Sequence, residues 1–329
     1  MLFLYLLAFL SNRNTYCFCS FIFSKIQITD YSCLIGIEKD GLILANLLNK
    51  RNIPQIYYSL ELFYEGPATA KMEGLEKLKF TVLRQLEIEA HGNSCATIIQ
   101  DRNRANILFS YNKIIKMQDL IFMPVAMPGD AFKTSTTDLF DLLEIPKNKK
   151  IILQLGGINS ERFSLEIAQS TKDWPDEYVL VMHGSFDECY KKEILNLKSD
   201  KIFISEKKLL YSEIPQIVAS AYIGLVFYRI KDTNYYNNFF IGNSSGQLAH
   251  FLQCGIPIIT NDVPDLQDLT SQYLCGLSTN KPESILEGIL SISSKYDFYR
   301  RNAFTCFEKK YQYNKYCEKF NEYLMSISV

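Results

Sequence analysis

Short β-branched and aromatic runs alternate with helical stretches along almost the whole chain, and that alternation restricts the fold more than any other feature. Strands are expected at residues 33–37, 55–59, 96–100, 120–123, 150–155, 178–182, 201–204, 223–227 and 256–260. Helices are expected at 42–49, 68–90, 160–170, 186–197, 212–221, 245–253 and 282–292, with an aromatic, charged helix at 296–324 closing the chain. Several strand runs are apolar at nearly every position, as in Ile151-Ile152-Leu153-Gln154-Leu155. A strand with one wet face alternates apolar and polar residues. A continuous apolar run needs cover on both faces, as a parallel strand between helices has. The pattern therefore predicts α/β architecture with doubly wound parallel sheets.

A chain of 329 residues is too long for one small core. The cleanest break spans residues 127–150. It holds Met127-Pro128-Gly129-Asp130, then Lys133-Thr134-Ser135-Thr136-Thr137, then Pro146-Lys147-Asn148-Lys149-Lys150. A strongly apolar strand follows at once, so a new domain is expected to start there. The expected division is a first domain at 1–140, a second at 141–300, and a closing helix at 301–329. The apolar face of that last helix (Phe298, Phe304, Phe307, Tyr311) is expected to pack back across the first domain.

Charge and residue counts exclude some function classes. Lys plus Arg is 35 and Asp plus Glu is 36, so the basic excess of a dedicated nucleic-acid binder is absent. Three His are too few for a His-rich metal centre. Nine Cys form no regular frame, and the C-x-C of Cys17 and Cys19 has no second pair or nearby His to complete a zinc set. They read as buried thiols of a reducing cytoplasm. Residues 1–10 are almost wholly apolar, but a membrane-spanning helix needs ~20 such residues. No basic segment precedes them and no small-residue cleavage site follows. Residues 1–23 are therefore expected to pack on the first domain without crossing a membrane. The basic run at 147–150 reads as a solvated linker with little affinity for an anionic membrane.

Two segments carry candidate chemistry. Gly156-Gly157 follows a strand and precedes an expected helix start, a place where backbone N–H groups face a phosphate. Arg162, at the start of that helix, would pair with phosphate charge. A structural turn explains the Gly pair equally well. The second segment, Gly242-Asn243-Ser244-Ser245-Gly246, matches the G-x-S-x-G nucleophile elbow. A hydrolase would then need a later His, and the only one is His250 on the same helix, which cannot swing back onto Ser244. An anion site fits better. Small hydroxyl residues at a helix N-terminus leave free N–H groups at the positive end of the dipole.

Gly156-Gly157, Leu180-Val181-Met182-His183-Gly184, Ala219-Ser220-Ala221-Tyr222-Ile223-Gly224-Leu225 and Ser244-Ser245-Gly246-Gln247-Leu248 occur in that order, followed by Gly255-Ile256-Pro257-Ile258-Ile259. Together they resemble the C-terminal half of a GT-B glycosyltransferase of the large retaining family that includes sucrose and mannosyl transferases. The last helix, with Tyr299-Arg300-Arg301-Asn302-Ala303, resembles that family's closing helix. The first half is similar more loosely, through Ile35-Gly36-Ile37, Gly41-Leu42-Ile43-Leu44-Ala45, Tyr57-Tyr58-Ser59-Leu60-Glu61 and Ile98-Ile99-Gln100-Asp101. The resemblance spans about residues 30 to 325.

It implies two Rossmann-like domains facing a cleft, and transfer of a sugar from a nucleotide diphosphate sugar to a glycan or lipid-linked acceptor. The donor is a substrate, so no cofactor and no metal are implied. The implied substrate-binding residues are Gly156, Gly157, Arg162, His183, Ser244, Ser245, Gly246, Gln247 and His250. The implied location is cytoplasmic, with a peripheral contact at the inner face of a membrane kept open and no nucleic-acid partner. The family's E-x7-E carboxylates fall here on Gly242 and His250, so both acids are missing, and its S-S-G-K lysine falls on Gln247. The first domain also lacks the strand, Gly-rich loop and helix with which such domains open, so it is expected to be incomplete and to carry the smaller sheet. His183 reads equally as a turn residue, His91 as a helix C-terminal cap, and Glu61 as an exposed strand-end acid or an acceptor contact. A catalytically impaired nucleotide-binding or scaffolding relative is the alternative to an active transferase.

Overall fold

The computed structural model describes residues 32–49 and 52–327. The expectations about residues 1–23 and about Cys17 and Cys19 lie outside them. The chain divides into two compact units. Met1–Met123 and Cys317–Val329 form the first, and Pro124–Tyr316 the second.

The first unit holds a parallel sheet of β1 (Leu34–Ile37), β2 (Gln55–Tyr58), β3 (Ala96–Ile99) and β4 (Asp119–Phe122), in that order. Parallel strands need crossovers, and α1 (Glu38–Leu48), α2 (Gly74–Gly92) and α3 (Arg102–Tyr111) supply them. Helix α3 was not expected, although its N-cap is written in the sequence: the Asp101 carboxylate accepts from the Arg104 N–H at 2.9 Å.

Beneath this sheet lies a buried polar network. The Tyr57 hydroxyl donates to Glu87 at 2.9 Å, and Arg84 pairs with the other Glu87 oxygen at 3.0 Å. Arg84 also donates to the Asn112 side-chain oxygen. Asn112 Nδ2 donates to His91 Nδ1 at 2.8 Å, which leaves the His91 proton on Nε2, 2.9 Å from Thr97 Oγ1. Thr97 passes its hydroxyl proton to Gln118 at 3.0 Å. His91 is thus not a helix cap. Its ring is fully buried, and burial with the Arg84 charge pushes its pKa down to about 3.

The second unit holds a six-stranded parallel sheet: β5 (Lys150–Ile158), β6 (Tyr178–Phe186), β7 (Ile202–Ser205), β8 (Ile223–Val226), β9 (Ile258–Asn261) and β10 (Gly276–Thr279). Their spatial order is β10-β9-β8-β5-β6-β7. The order runs one way from β5 and the opposite way from β8, so the sheet switches direction between these two strands. Longer helices here are α4 (Ser164–Ser170), α5 (Glu188–Asn196), α6 (Gly246–Gln253), α7 (Pro264–Tyr273), α8 (Ile285–Ser293) and α9 (Tyr296–Cys306). Successive strand residues enter opposite cores. Ile151, Leu153, Leu155, Val179 and Val181 fill one face, and Ile152, Leu180 and Met182 fill the other. This period-2 split is why the runs read as continuously apolar. Among the described residues the first sheet has four strands and the second six.

The divisions read from the sequence differ from those in the structure. The linker-like segment after Met123 is fastened to the second unit by backbone bonds, Val125 N–H to Asn243 O, Met127 N–H to Tyr311 O and Phe132 N–H to Gln253 O, each 2.8 Å. The last helix is two helices. Between α9 and α10 (Asn314–Ile327), Met127 bonds to Tyr311 and Tyr313 on either side of Gln312 and takes backbone groups that a continuous helix would need. Phe307 and Tyr311 are fully buried in the second unit's core rather than against the first, while Phe298 is partly exposed. Only Cys317–Val329 groups with the first unit.

Candidate functional site

Because the strands of the second unit are parallel, their C-terminal ends lie along one edge, where open α/β sheets bind ligands. The register puts Leu155 beside His183 and His183 beside Ser205, with Gly156 beside Gly184. A cavity of about 760 Å³ opens at this edge. It is lined by Leu155, Gly156, His183 to Phe186, the loop 206–209, Ile214, and Gly246, Gln247 and His250 of α6. Of the nine expected site residues, the cavity gathers Gly156, His183, Gly246, Gln247 and His250. It does not gather Gly157, Arg162, Ser244 or Ser245.

Three of these four have a local explanation. Strand β5 does not stop at Leu155; it runs through both glycines to Ile158. Gly156 and Gly184 are therefore strand glycines pressed together. A Cβ on Gly184, at φ +145°, would lie 1.9 Å from the Gly156 carbonyl oxygen. The expected helix at 160–170 begins as a 3-10 turn, Ser160–Arg162, and restarts at Ser164 after a left-handed Phe163. Arg162 thereby turns over the Tyr228 ring, its guanidinium carbon 3.7 Å from the ring centre. With the Gln247 amide nitrogen donating to Leu155 O at 2.5 Å, its oxygen accepts from Arg162 at 3.3 Å.

Ser245 is the N-cap of α6 and accepts from the Leu248 N–H at 3.2 Å. Its hydroxyl also meets the Tyr228 hydroxyl at 2.5 Å. Tyr228 thus ties Arg162 to the start of α6. Sequence reasoning missed it, although it closely follows the apolar strand β8 and so stands at the switch in strand direction. The hydroxyl of Ser244 is buried without a partner.

Electrostatics at the cavity favour an anion. The first turn of α6 directs its dipole toward the cavity, and Lys207 and Lys208 stand exposed at the rim. These lysines were also missed; a basic pair directly after the end of a parallel strand is the signal that could have found them. Glu206 is paired with Lys191. His183 accepts from or donates to Ser205 Oγ at 2.9 Å, and burial together with the Lys207 charge lowers its pKa. Burial pushes His250 down to about 4, so its ring is neutral at pH 7. The His250 side chain is 7 % exposed, and its Nδ1 is buried without a hydrogen-bond partner.

Gly242, where the resembled family has its first carboxylate, is clamped at both backbone groups. Its N–H donates to Asp265 Oδ2 at 2.8 Å and its carbonyl accepts from the Tyr311 hydroxyl at 2.6 Å. A Cβ there would lie 2.9 Å from the same Asp265 oxygen, so a side chain fits only if the Asp265 carboxylate shifts and gives up its bond to the Gly242 N–H. Glu166 pairs with Arg229, which also lies over the Phe163 ring at 3.9 Å. Among the described residues no group of three or more His, Cys, Asp or Glu is placed to hold a metal ion. No described helix is long and apolar enough to cross a membrane. In the first unit Glu61 is exposed three residues beyond β2, and its N–H donates to the Glu38 carboxylate at 2.9 Å.

With this geometry in hand, the solved structures that the chain is similar to share one architecture. Sucrose-phosphate synthase from Thermosynechococcus elongatus matches with a TM-score of 0.68 at 14% identity, over 90% of this chain and 74% of that one. HepE from Anabaena, in complex with UDP-glucose, matches at 0.66 and 12%, over 90% and 79%. A UDP-forming α,α-trehalose-phosphate synthase from Burkholderia vietnamiensis matches at 0.62 and 9%, over 89% and 72%. The fold is that of the GT-B glycosyltransferases. No protein-family model and no curated protein sequence matches the chain. Identities this low carry the fold alone.

Proposed function

We propose that the protein binds a nucleotide diphosphate sugar at the strand edge of its second unit and transfers the sugar to a glycan or lipid-linked acceptor. In this reading it is a cytoplasmic hexosyltransferase of the retaining GT-B family, acting in polysaccharide biosynthesis. One observation carries the proposal: the cavity at the strand edge brings His250 together with Gly246 and Gln247 of the N-terminal turn of α6. The cavity of about 760 Å³ lies in the size range of small-molecule sites. The diphosphate would sit toward Gly246 and Gln247, with Arg162, Lys207 and Lys208 supplying positive charge, and the ribose toward His250. The neighbouring HepE structure holds UDP-glucose, which supports the choice of donor class.

A second reading, a binding relative with little turnover, is favoured by Gly242 and His250. The first position carries no side chain and its N–H is taken by Asp265, and the second carries a neutral ring where the resembled family has an acid. Calorimetric titration with UDP, GDP and ADP, followed by assay for sugar release from UDP-glucose, tests both. Binding with release supports the transferase, and binding without release supports the second reading. Arg162→Ala should weaken binding by about 1–3 kcal/mol if its guanidinium reaches the phosphates. No binding of any nucleotide by protein that melts cooperatively would leave only the fold.

A further inference from the structure

Tyr228 lies two residues beyond β8, at the strand edge where the second sheet changes direction. It is 2 % exposed, and one side chain holds both of its backbone groups. Asn261, the last residue of β9, accepts from the Tyr228 N–H at 2.9 Å and donates to the Tyr228 carbonyl at 2.9 Å. This two-point clamp continues the bonding of a sheet partner past the place where β8 ends. The backbone at Tyr228 is therefore fixed by buried bonds. Its side chain in turn holds two parts of the candidate site. Arg162 lies over the face of the ring, and the hydroxyl meets Ser245, the N-cap of α6.

The acids beside Arg162 in the chain are already paired, Glu166 with Arg229 and Glu161 with Lys231 at 3.7 Å. Arg162 itself has no carboxylate partner among the described residues. Its neighbours are the Tyr228 ring and the Gln247 side-chain oxygen. Arg162 does not line the cavity, but Gln247 does, so this uncompensated charge stands one hydrogen bond behind the cavity wall. We propose that Tyr228 is the positioning residue of the anion site. By holding Arg162 on its ring and Ser245 at its hydroxyl, it sets the cation and the start of α6 at one fixed spacing for a nucleoside diphosphate. A free arginine side chain loses rotamer freedom when it meets an anion. One already stacked on an aromatic face loses less, and the difference appears as affinity. Tyr228 touches no reacting atom and acts through Arg162. The inference rests on the proposed function, because it takes a diphosphate as the ligand of that site.

A double-mutant cycle tests this, read by calorimetric titration of the full chain with the tightest-binding of UDP, GDP and ADP. Tyr228→Leu keeps an apolar side chain but offers no flat face, and it should bind about tenfold more weakly than wild type. In an Arg162→Ala background the same change should weaken binding by less than about twofold, because the residue it acts through is gone. A tyrosine that only filled the core would lower affinity equally in both backgrounds. Tyr228→Phe keeps the ring over Arg162 and should stay within about threefold of wild type. Arg162→Lys, on a half-buried turn, keeps the charge without the planar face and should weaken binding about fivefold; it carries the test if Tyr228→Leu does not melt cooperatively. Equal losses from Tyr228→Leu in both backgrounds would overturn the role. So would a Tyr228→Phe loss as large as that of Tyr228→Leu, or wild-type affinity in Arg162→Lys. Each of these leaves the sugar-transfer reading standing, whereas no binding of any diphosphate by folded wild type would overturn both.

Discussion

Lowering the pH should unfold the first unit, and His91 sets the window. In the folded chain His91 stays neutral down to about 3, whereas a free histidine takes its proton near 6.5. Between those values the unfolded state holds more protons, so stability is complete above about 6.5 and is lost as the pH falls toward 3. The cause is geometric. The ring is fully buried, its Nδ1 already accepts from Asn112, and the Arg84 guanidinium stands in the same network. The loss from this one group comes to about 2 kcal/mol at about pH 5 and about 3 kcal/mol at about pH 4. That is a large share of an ordinary domain's stability. Glu87 works in the opposite direction, since burial raises its carboxyl and protonation there favours the folded form as the pH falls.

His91→Gln isolates the effect, because glutamine keeps a donor and an acceptor but does not titrate. Urea unfolding would be followed over this pH range for wild type and variant. Hydrogen exchange of the Ala96–Ile99 amides would report on the first unit alone, since His183 and His250 titrate in the second. The wild type should lose stability more steeply than the variant below about pH 6.5. Parallel curves would refute the argument, and would mean that His91 is either accessible or already charged in the folded chain.

Three further outcomes follow from named contacts. His250→Phe should raise stability by about 1 kcal/mol, by removing a buried nitrogen with no partner, while weakening UDP binding; urea unfolding and calorimetry read the two effects. Gly184→Ala should cost ~3 kcal/mol or more, because its Cβ would lie 1.9 Å from the Gly156 oxygen at a φ of +145°. Gly242→Glu should not raise turnover and should destabilise by about 2 kcal/mol, because its Cβ would lie 2.9 Å from the Asp265 oxygen and displace the carboxylate that accepts from the N–H of this position. Unfolding of that variant with and without Asp265→Asn measures the coupling.

The local rules in the sequence reach as far as the elements. All nine expected strands are present within a few residues, because burial on both faces writes itself as unbroken apolar runs such as residues 151–155. Strand β10 was missed; it begins at a glycine and carries Ser278 and Thr279, so its signal is weak. Helix α7 was also missed, although Pro264 stands at its start. The start of α6 was legible from Ser245, because an N-cap is a local bond between residues three apart.

What required the tertiary structure is everything set by bonds between distant residues. The unit boundary moved because residues 125–132 bond to partners more than 100 positions away. Arg162 met Tyr228 because two parallel strands, β5 and β8, are adjacent in the sheet though far apart in the chain. Gly242 looked like a lost carboxylate, and only the fold shows that the Asp265 carboxylate accepts from its N–H. Sequence alone determines which segments are strand, helix or cap, since those choices rest on periodicity and short-range bonds. Which side chains share a cavity is decided by the order in which the strands lie side by side, and a chain of residues records that order only once it has folded.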